Sequence, residues 1–191
     1  MYREAILKVI EQAVSVLQSG GVILFPADTI WGIGCDATYM EAIQKVYHLK
    51  GRSHLKPLIV LVSNLEQLYA VASTVHPRVD TLLHYHDRPL TVIYPSARPE
   101  FSHLAAQDGS IGIRMIKSGF CHELISRYGR PLVSTSANLT GEAFPANFGS
   151  VSSSIISKVD FAFPAFTEKD ITGTPSVIAR YDENGELDFL R

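Results

Sequence analysis

Residues 26–57, PADTIWGIGCDATYMEAIQKVYHLKGRSHLKP, place a hydroxyl-bearing turn and three closely spaced cations on either side of one short predicted helix. Just before them, the apolar run at residues 22–26 predicts a buried strand that opens into a polar loop at residues 27–29. Gly32 and Gly34 follow, and their backbone freedom predicts a loop that a ligand can approach closely. This stretch therefore predicts a binding site between a strand and a helix.

The three cations are Lys50, Arg52 and Lys56, which lie between the predicted helix and the apolar run at residues 57–62. Cations are common at helix C-termini, so Lys50 and Arg52 have a purely structural interpretation that is equally well supported. Lys56 lies beyond the helix and beside a proline, where that interpretation fits less well. Together the three side chains could clamp an anion, because arginine binds phosphate or carboxylate oxygens bidentately and lysine acts as a movable point charge.

The composition limits the class of protein. With 191 residues, of which 46% are hydrophobic, the chain is predicted to form one well-buried domain over residues 1–191. The formal net charge is −2, so no global positive field attracts nucleic acid, and any RNA contact would be local. Cys35 and Cys121 fit neither a zinc ribbon nor a disulfide framework, and no apolar run reaches the roughly 18 residues of a membrane span. We expect a soluble, cytoplasmic protein with no membrane partner.

Hydrophobic periodicity along the rest of the chain alternates between helix-like and strand-like. Further predicted helices cover residues 2–19, 64–72, 77–84, 119–128 and 151–157. Further predicted strands cover residues 57–62, 90–94, 110–115, 131–133, 159–163, 176–181 and 187–190. Helices that alternate with strands, followed by a late hairpin with a turn at residues 182–185, predict an α/β fold with a sheet of mixed strand direction.

A second concentration of polar groups, which includes Ser134, Ser136 and Asn138, follows the predicted strand at residues 131–133. These groups could donate to phosphate or carboxylate oxygens, but a Ser/Thr turn with a helix cap is the favoured interpretation of this stretch taken alone. Arg114 ends an apolar strand, where a half-buried guanidinium requires an anionic partner. A ligand or a structural Asp or Glu would satisfy it.

Several familiar classes of site have no support in the spacing. Gly32 and Gly34 lack the third glycine of a dinucleotide fingerprint, and no glycine-rich loop carries a Walker lysine. His84 and His86 have no third ligand at a sequence spacing typical of a metal site, so no metal site is predicted. No serine lies in a G-x-S-x-G elbow. Asp28 is interpreted as a base, a magnesium contact or a turn former, and the turn is favoured.

Five segments in order, PADTIWGIGCDA, YHLKGRSHLKPLIVLV, SIGIRM, PLVSTSANLTG and TPSVI, resemble the YrdC-type threonylcarbamoyl-AMP synthases over about residues 20–180. The resemblance implies a YrdC-like α/β fold, in which a twisted mixed sheet with flanking helices surrounds a large concave cavity. It also implies a reaction of L-threonine, bicarbonate and ATP that yields threonylcarbamoyl-AMP and pyrophosphate. Downstream tRNA threonylcarbamoyl-transferase proteins would use this product to form threonylcarbamoyladenosine on tRNA.

The resemblance further implies roles for individual residues. Thr29 matches a contact of the substrate threonine, and Arg114 matches a contact of its carboxylate. Lys50, Arg52 and Lys56 match cations near the ATP phosphates or the threonylcarbamoyl carboxylate, and Lys50 and Arg52 are the predicted catalytic residues. The remaining implied substrate or nucleotide contacts are polar side chains close to strands: Ser110, Ser134, Ser136, Asn138 and Ser176.

In the implied reaction a carbamate attacks the α-phosphorus of ATP, so one anion approaches another and charge neutralisation is the main task of the site. The cations supply it, together with Mg²⁺ that is carried on the phosphates. The carbamate oxygen is already anionic, so neither a general base nor a covalent nucleophile is predicted.

Three other functions stay open at the level of sequence. The chain departs from the family pattern at Ala27 and Val177, where the family usually has threonine, and at residues 86–91. The alternatives are a carbamoyl-transfer enzyme of related fold, a binding module for tRNA or double-stranded RNA without synthase activity, and a metabolite-binding paralogue. The end of the chain at Arg191 resembles the family's short form, and residues 140–149 are a candidate lid.

Overall fold

A computed structural model of the chain describes residues 2–53, 56–169 and 171–190, so that His54 and Leu55 of the cationic stretch and the terminal Arg191 lie outside the described residues. The strands are β1 (Ile23–Pro26), β2 (Trp31–Asp36), β3 (Ile59–Val62), β4 (Leu90–Tyr94), β5 (Ile111–Met115), β6 (Leu132–Ser136), β7 (Phe161–Ala162), β8 (Val177–Tyr181) and β9 (Leu187–Phe189). They form one nine-stranded sheet in the order β7-β1-β2-β6-β3-β5-β4-β8-β9. Neighbours are parallel in β7/β1, β3/β5 and β4/β8 and antiparallel in the other pairs, which confirms the predicted mixed sheet.

The helices of the described residues lie close to their predicted positions. They are α1 (Tyr2–Gln18), α2 (Met40–Lys50), α3 (Leu65–Val71), α4 (Pro77–Tyr85), α5 (Gly119–Tyr128) and α6 (Ser153–Ile156), with 3₁₀ turns at Pro99–Leu104, Phe148–Ser150 and Ala165–Thr167. The predicted cap of α3 is confirmed, because Asn64 Oδ1 accepts a hydrogen bond of 2.9 Å from Gln67 N. None of these helices is long and apolar enough to cross a membrane.

Alternation of side chains along the central strands separates a core face from a cavity face. Ile33, Val60, Ile113 and Val133 are buried in the hydrophobic core, where α1 and α5 pack against β1 and each other. Residues that alternate with them line a cavity on the other face: Gly32 on β2, Ile59 and Leu61 on β3, Gly112 and Arg114 on β5, and Ser134 and Ser136 on β6. The sheet therefore carries polar strand residues to one place while its other face stabilises the fold.

The predicted loop at Gly32 and Gly34 is wrong, because both glycines lie inside strand β2 and pair with β6. A Cβ atom at position 34 would lie 2.1 Å from the backbone oxygen of Val133, and one at position 32 would lie 2.9 Å from Ser134 Oγ. Glycine is needed at position 34 because a neighbouring strand, and not a ligand, approaches the backbone closely. The glycines thus bring β6 and its serines tightly against β2.

Candidate active site

The cavity on the open face of the sheet has a volume of about 480 Å³, which lies within the usual range of ligand pockets. Its floor follows the register of the strands. One row of partners runs through Ile178, Thr91, Arg114 and Leu61, on β8, β4, β5 and β3. Beside it lie Arg180, Ile93 and Gly112, and the pair Ile59 and Ser134. The predicted concave cavity is therefore a product of strand order and alternation.

Arg114 lies on this floor and is 6% exposed. Its Nη1 donates a hydrogen bond of 3.0 Å to Thr29 Oγ1, and its Nη2 lies 3.0 Å from Asp28 Oδ1, although not aligned as a hydrogen bond. Among the described residues, the buried Nε has no hydrogen-bond partner. A buried donor without a partner is costly, so this guanidinium is suited to receive one more acceptor from a ligand.

Asp28 therefore supplies the structural anion that the position of Arg114 requires. The favoured interpretation of Asp28 as part of a turn agrees with the bond from Ala27 N to Ile30 O, 3.1 Å long, which closes the β1–β2 connection. The sequence does not indicate that this turn also delivers a carboxylate and the Thr29 hydroxyl to Arg114, because β1 and β5 are distant in the chain. The turn and the arginine together form one polar corner of the cavity.

Lys50 ends α2 and is 3% exposed. Its Nζ donates to Ser136 O at 2.6 Å, to Ser136 Oγ at 2.9 Å and to Asn138 Oδ1 at 2.6 Å. Burial and the nearby charge of Arg52 lower its pKa to about 8. The interpretation that Lys50 only complements the end of its helix is wrong, because its ammonium group spans to the end of β6.

The position of β6 bears on the turn interpretation of the second polar stretch. Ser134 and Ser136 lie inside β6, where they pair with Gly34 and Gly32 of β2. The favoured interpretation of a Ser/Thr turn with a helix cap is therefore wrong for both serines. Asn138 lies just beyond the strand, and its Nδ2 donates to Glu142 O at 2.7 Å. Lys50 and Glu142 thus fix the orientation of the Ser136–Asn138 segment.

Arg52 lines the cavity from the connection between α2 and β3. Its Nε donates to Lys56 O at 2.9 Å and its Nη2 donates to Pro57 O at 3.0 Å. Burial lowers the pKa of the guanidinium, but an arginine keeps its charge at any physiological pH. The side chain of Lys56 is exposed and does not line the cavity. Its backbone carbonyl, in contrast, holds Arg52 in place.

Two further predicted hydroxyls line the cavity at opposite ends of the β4–β5 region. Ser110 Oγ donates to Asp108 Oδ1 at 2.6 Å, just before β5 begins. Ser176 Oγ lies 2.8 Å from Thr91 Oγ1, just before β8 begins. Of the predicted site residues, Thr29, Arg52, Ser110, Arg114, Ser134, Ser136 and Ser176 line the cavity, and Lys50, Asn138 and Lys56 do not.

Two residues that line the cavity, Arg180 and Phe144, were not predicted from the sequence. Arg180 lines it from β8 and pairs with Asp108 at 3.8 Å. The alternation of residues 177–181 places Arg180 on the same face as Ile178 and is the signal that could have found it. Phe144 also lines the cavity while being 48% exposed.

The candidate lid at residues 140–149 is tied to the sheet near its C-terminal end. Trp31 N donates to Pro145 O at 3.1 Å, and Phe148 N donates to Glu168 Oε2 at 2.6 Å. The same Glu168 oxygen accepts a hydrogen bond of 2.5 Å from Trp31 Nε1. Closure of this segment over a ligand stays a prediction. The beginning of the segment is also held, because Thr140 Oγ1 donates to Lys50 O at 3.1 Å.

Comparison with known proteins identifies the family of this chain. The Sua5/YciO/YrdC family model, described as "Telomere recombination", matches residues 15–191. The chain belongs to the Sua5/YciO/YrdC family. A relative named threonylcarbamoyl-AMP synthase from Vibrio campbellii (strain ATCC BAA-1116) is 34% identical over 139 residues, which are 71% of this chain and 75% of that protein.

Solved structures of the family have the same fold. The P. abyssi Sua5 structure complexed with L-threonine has a TM-score of 0.80 at 22% identity, and the match covers 95% of this chain and 53% of that chain. The E. coli YciO structure has a TM-score of 0.80 at 18% identity, and the match covers 96% of this chain and 88% of that chain. The resemblance inferred from the sequence motifs and the YrdC-like α/β fold are both confirmed.

Proposed function

We propose that this chain is a threonylcarbamoyl-AMP synthase, a nucleotidyltransferase that converts L-threonine, bicarbonate and ATP into threonylcarbamoyl-AMP and pyrophosphate. Relatives of this name share about a third of their residues with it over most of its length. The structural observation that carries the proposal is the buried Arg114 on the cavity floor, which donates to the Thr29 hydroxyl and keeps a second donor, Nε, without a partner among the described residues. A small amino acid with a carboxylate suits such a corner.

In the proposed complex, the carboxylate of L-threonine lies against Arg114 and the hydroxyl of Thr29. Structures of Sua5 include one with L-threonine, which agrees with this class of ligand. The remaining cavity offers Arg52, Ser134 and Ser136 to the phosphates of ATP. One substrate would thus occupy the Asp28–Arg114 corner and the other the region near the end of α2.

The reaction joins two anions. The amino group of threonine and bicarbonate form a carbamate and water; a carbamate oxygen then forms a bond to the α-phosphorus of ATP, while the bond from that phosphorus to the leaving pyrophosphate breaks. The chain's part is to hold the two anions in line and to neutralise their repulsion. Arg52 and Arg114 carry fixed positive charges into the cavity for this purpose.

Lys50 has a different part in this proposal from the one the sequence suggested. Its ammonium hydrogens already serve Ser136 and Asn138. We therefore assign it the positioning of Ser136 at the cavity wall, with direct contact to phosphate left to Arg52. Lys56 is exposed and lies outside the cavity, so we assign it no direct phosphate contact. Its charge would attract the phosphates from a longer distance.

Magnesium enters this proposal bound to ATP. Within residues 2–53, 56–169 and 171–190, no group of three His, Cys, Asp or Glu side chains could hold a metal ion. Mg²⁺ is commonly bound through substrate phosphates and its own waters, so the cavity does not need a dedicated cage for it. The ion would supply further charge neutralisation on the phosphates.

Two wider elements of the function belong to the same proposal. The product would serve downstream proteins that modify tRNA, and a local contact with tRNA would accompany its transfer. We also propose that residues 1–191 form one YrdC-like domain, because one continuous sheet connects the strands of the described residues.

The proposal predicts that pyrophosphate is released from ATP only when L-threonine and bicarbonate are both present. Purified protein is incubated with Mg²⁺ and ATP, each co-substrate is omitted in turn, and L-serine replaces L-threonine in a parallel reaction. Release that needs both co-substrates, with L-threonine preferred over L-serine, is expected. Release from ATP alone, or no release while ATP is bound, would contradict the proposed function.

A further inference from the structure

Arg180 is a cation at the cavity to which the proposed function assigns no role. It lies on β8, pairs in register with Ile93 of β4, and lines the cavity with its side chain 53% exposed. Arg114, in contrast, is buried on the floor of the same cavity. Arg180 is therefore placed where an incoming ligand meets the cavity from solvent.

The partner of Arg180 holds it weakly. Arg180 Nη2 lies 3.8 Å from Asp108 Oδ2, which is beyond hydrogen-bond distance, and the Asp108 side chain is 58% exposed. Exposed ion pairs of this kind contribute little to stability. Replacement of Asp108 by a ligand anion as the partner of Arg180 should therefore change the free energy of unfolding little.

Asp108 is nevertheless a persistent anion. Its Oδ1 accepts hydrogen bonds from Ser110 Oγ at 2.6 Å and from Ser110 N at 3.0 Å. These bonds lower the pKa of Asp108, so the carboxylate stays charged at neutral pH. Its Oδ2 faces Arg180. Asp108 therefore orients the cavity-lining Ser110 through Oδ1 and forms an ion pair with Arg180 through Oδ2.

Arg180 and Arg52 approach the cavity from different sides. Arg52 lies near the start of β3, and β8 is the third strand from β3 in the sheet order, a distance of about 14 Å between strand axes. Ile93 and Gly112 lie in register between Arg180 and β3. The cavity floor between the two arginines therefore consists, in this row, of an apolar side chain and a glycine backbone. A ligand that reached both arginines would be extended and anionic at more than one point.

We propose that Arg180 is a substrate-binding residue that exchanges Asp108 for a phosphate of the incoming nucleoside triphosphate. The identity of the ligand as ATP rests on the proposed function. The guanidinium binds phosphate oxygens bidentately, with better geometry than it has with Asp108. Asp108 competes with the ligand, so it weakens ATP binding while it keeps Ser110 in place.

The test measures the Kd for ATP with Mg²⁺ by calorimetric titration, without L-threonine, so that no turnover is needed. Arg180→Gln is expected to raise the Kd about tenfold, as loss of a hydrogen bond to a charged group does. Asp108→Asn keeps an oxygen for Ser110 but removes the competing charge, so it is expected to lower the Kd several-fold. In the Arg180→Gln background this gain from Asp108→Asn should be smaller.

Matched controls come from an exposed pair of the same type elsewhere. Arg78 and Glu186 lie 3.9 Å apart with 64% and 73% exposed side chains, and neither lines the cavity. Arg78→Gln changes the net charge as Arg180→Gln does, and Glu186→Gln changes it as Asp108→Asn does. Both control variants should leave the Kd for ATP unchanged. Thermal unfolding of each variant checks that the fold is retained.

Two results with the variants would each overturn the inference. An effect of Arg180→Gln no larger than that of Arg78→Gln would exclude Arg180 from the nucleotide site. Weaker ATP binding in Asp108→Asn would show that Asp108 holds Arg180 in its binding position instead of competing for it. Binding that depends on Arg180, without threonine-dependent release of pyrophosphate, would support this inference while contradicting the proposed function. Absence of ATP binding by the wild-type protein would contradict both.

Discussion

Replacement of Arg114 by methionine is expected to reduce the kcat/KM for threonine-dependent pyrophosphate release by about 10²- to 10³-fold, the usual effect of removing one charged or hydrogen-bonding group at a reacting centre. The substitution removes the donor to Thr29 and the cation beside Asp28. It also leaves the Asp28 carboxylate without its partner, so part of the loss could come from a damaged fold. Steady-state kinetics and thermal unfolding of the same preparation separate the two effects.

A double variant makes this separation sharper. Arg114→Met combined with Asp28→Asn removes both charges, so the unpaired carboxylate no longer opposes folding. We expect the double variant to recover much of the stability lost in Arg114→Met and to remain inactive, because the cation that receives the threonine carboxylate is still missing. A double variant with near wild-type activity would exclude Arg114 from the threonine site.

Replacement of Lys50 by methionine is expected to lower kcat/KM by about 10²-fold, through Ser136 and not through a lost phosphate contact. The substitution keeps an apolar side chain of similar length but removes the donor to three oxygen atoms. Lys45→Met is the matched control, because Lys45 lies exposed on the same helix and outside the cavity. Equal activity of the two variants would contradict a role for Lys50.

The pH dependence distinguishes positioning by a charged Lys50 from a purely structural role. The pKa of Lys50 is about 8 in the folded chain, against an ordinary value of 10.5. Activity that depends on the ammonium form should fall as the pH rises through about 8. In Lys50→Arg, this fall in activity should occur at a higher pH. Between about pH 8 and 10.5 the unfolded chain binds more protons than the folded chain, so the free energy of unfolding of the wild type should rise with pH relative to Lys50→Met.

Local patterns of the sequence predict much of the fold. The apolar faces of α1 and α5 and the glycine that ends α5 are local signals, and both helices lie where periodicity places them. Strand β4 has the predicted bounds, and β8 and β9 form the predicted hairpin. Strand β2 was missed because its two glycines are typical of loops. Glycine is needed at these positions because β6 approaches the backbone of β2 closely, and no local pattern reveals this approach.

The candidate site is predicted less completely, because its contacts join distant parts of the chain. The sequence indicates that Arg114 needs an anion but not that the anion is Asp28. It marks Lys50 as a cation near a helix end, whereas its partners are the last residue of β6 and Asn138 just beyond it, in a stretch interpreted on its own as a turn. Arg180 was missed because the alternation of residues 177–181 places it on the face of Ile178, but no local pattern shows that this face borders the cavity. Strand order decides all three cases.

The central claim, that this chain makes threonylcarbamoyl-AMP, is tested most directly by following two labels into one product. The protein is incubated with ¹⁴C-bicarbonate, ATP labelled at the α-phosphorus, Mg²⁺ and L-threonine, and the products are separated chromatographically. We expect one compound that carries both labels in equal amounts, that requires L-threonine, and that is lost in Arg114→Met. Labelled AMP without incorporation of ¹⁴C, or a doubly labelled compound that forms without L-threonine, would contradict it.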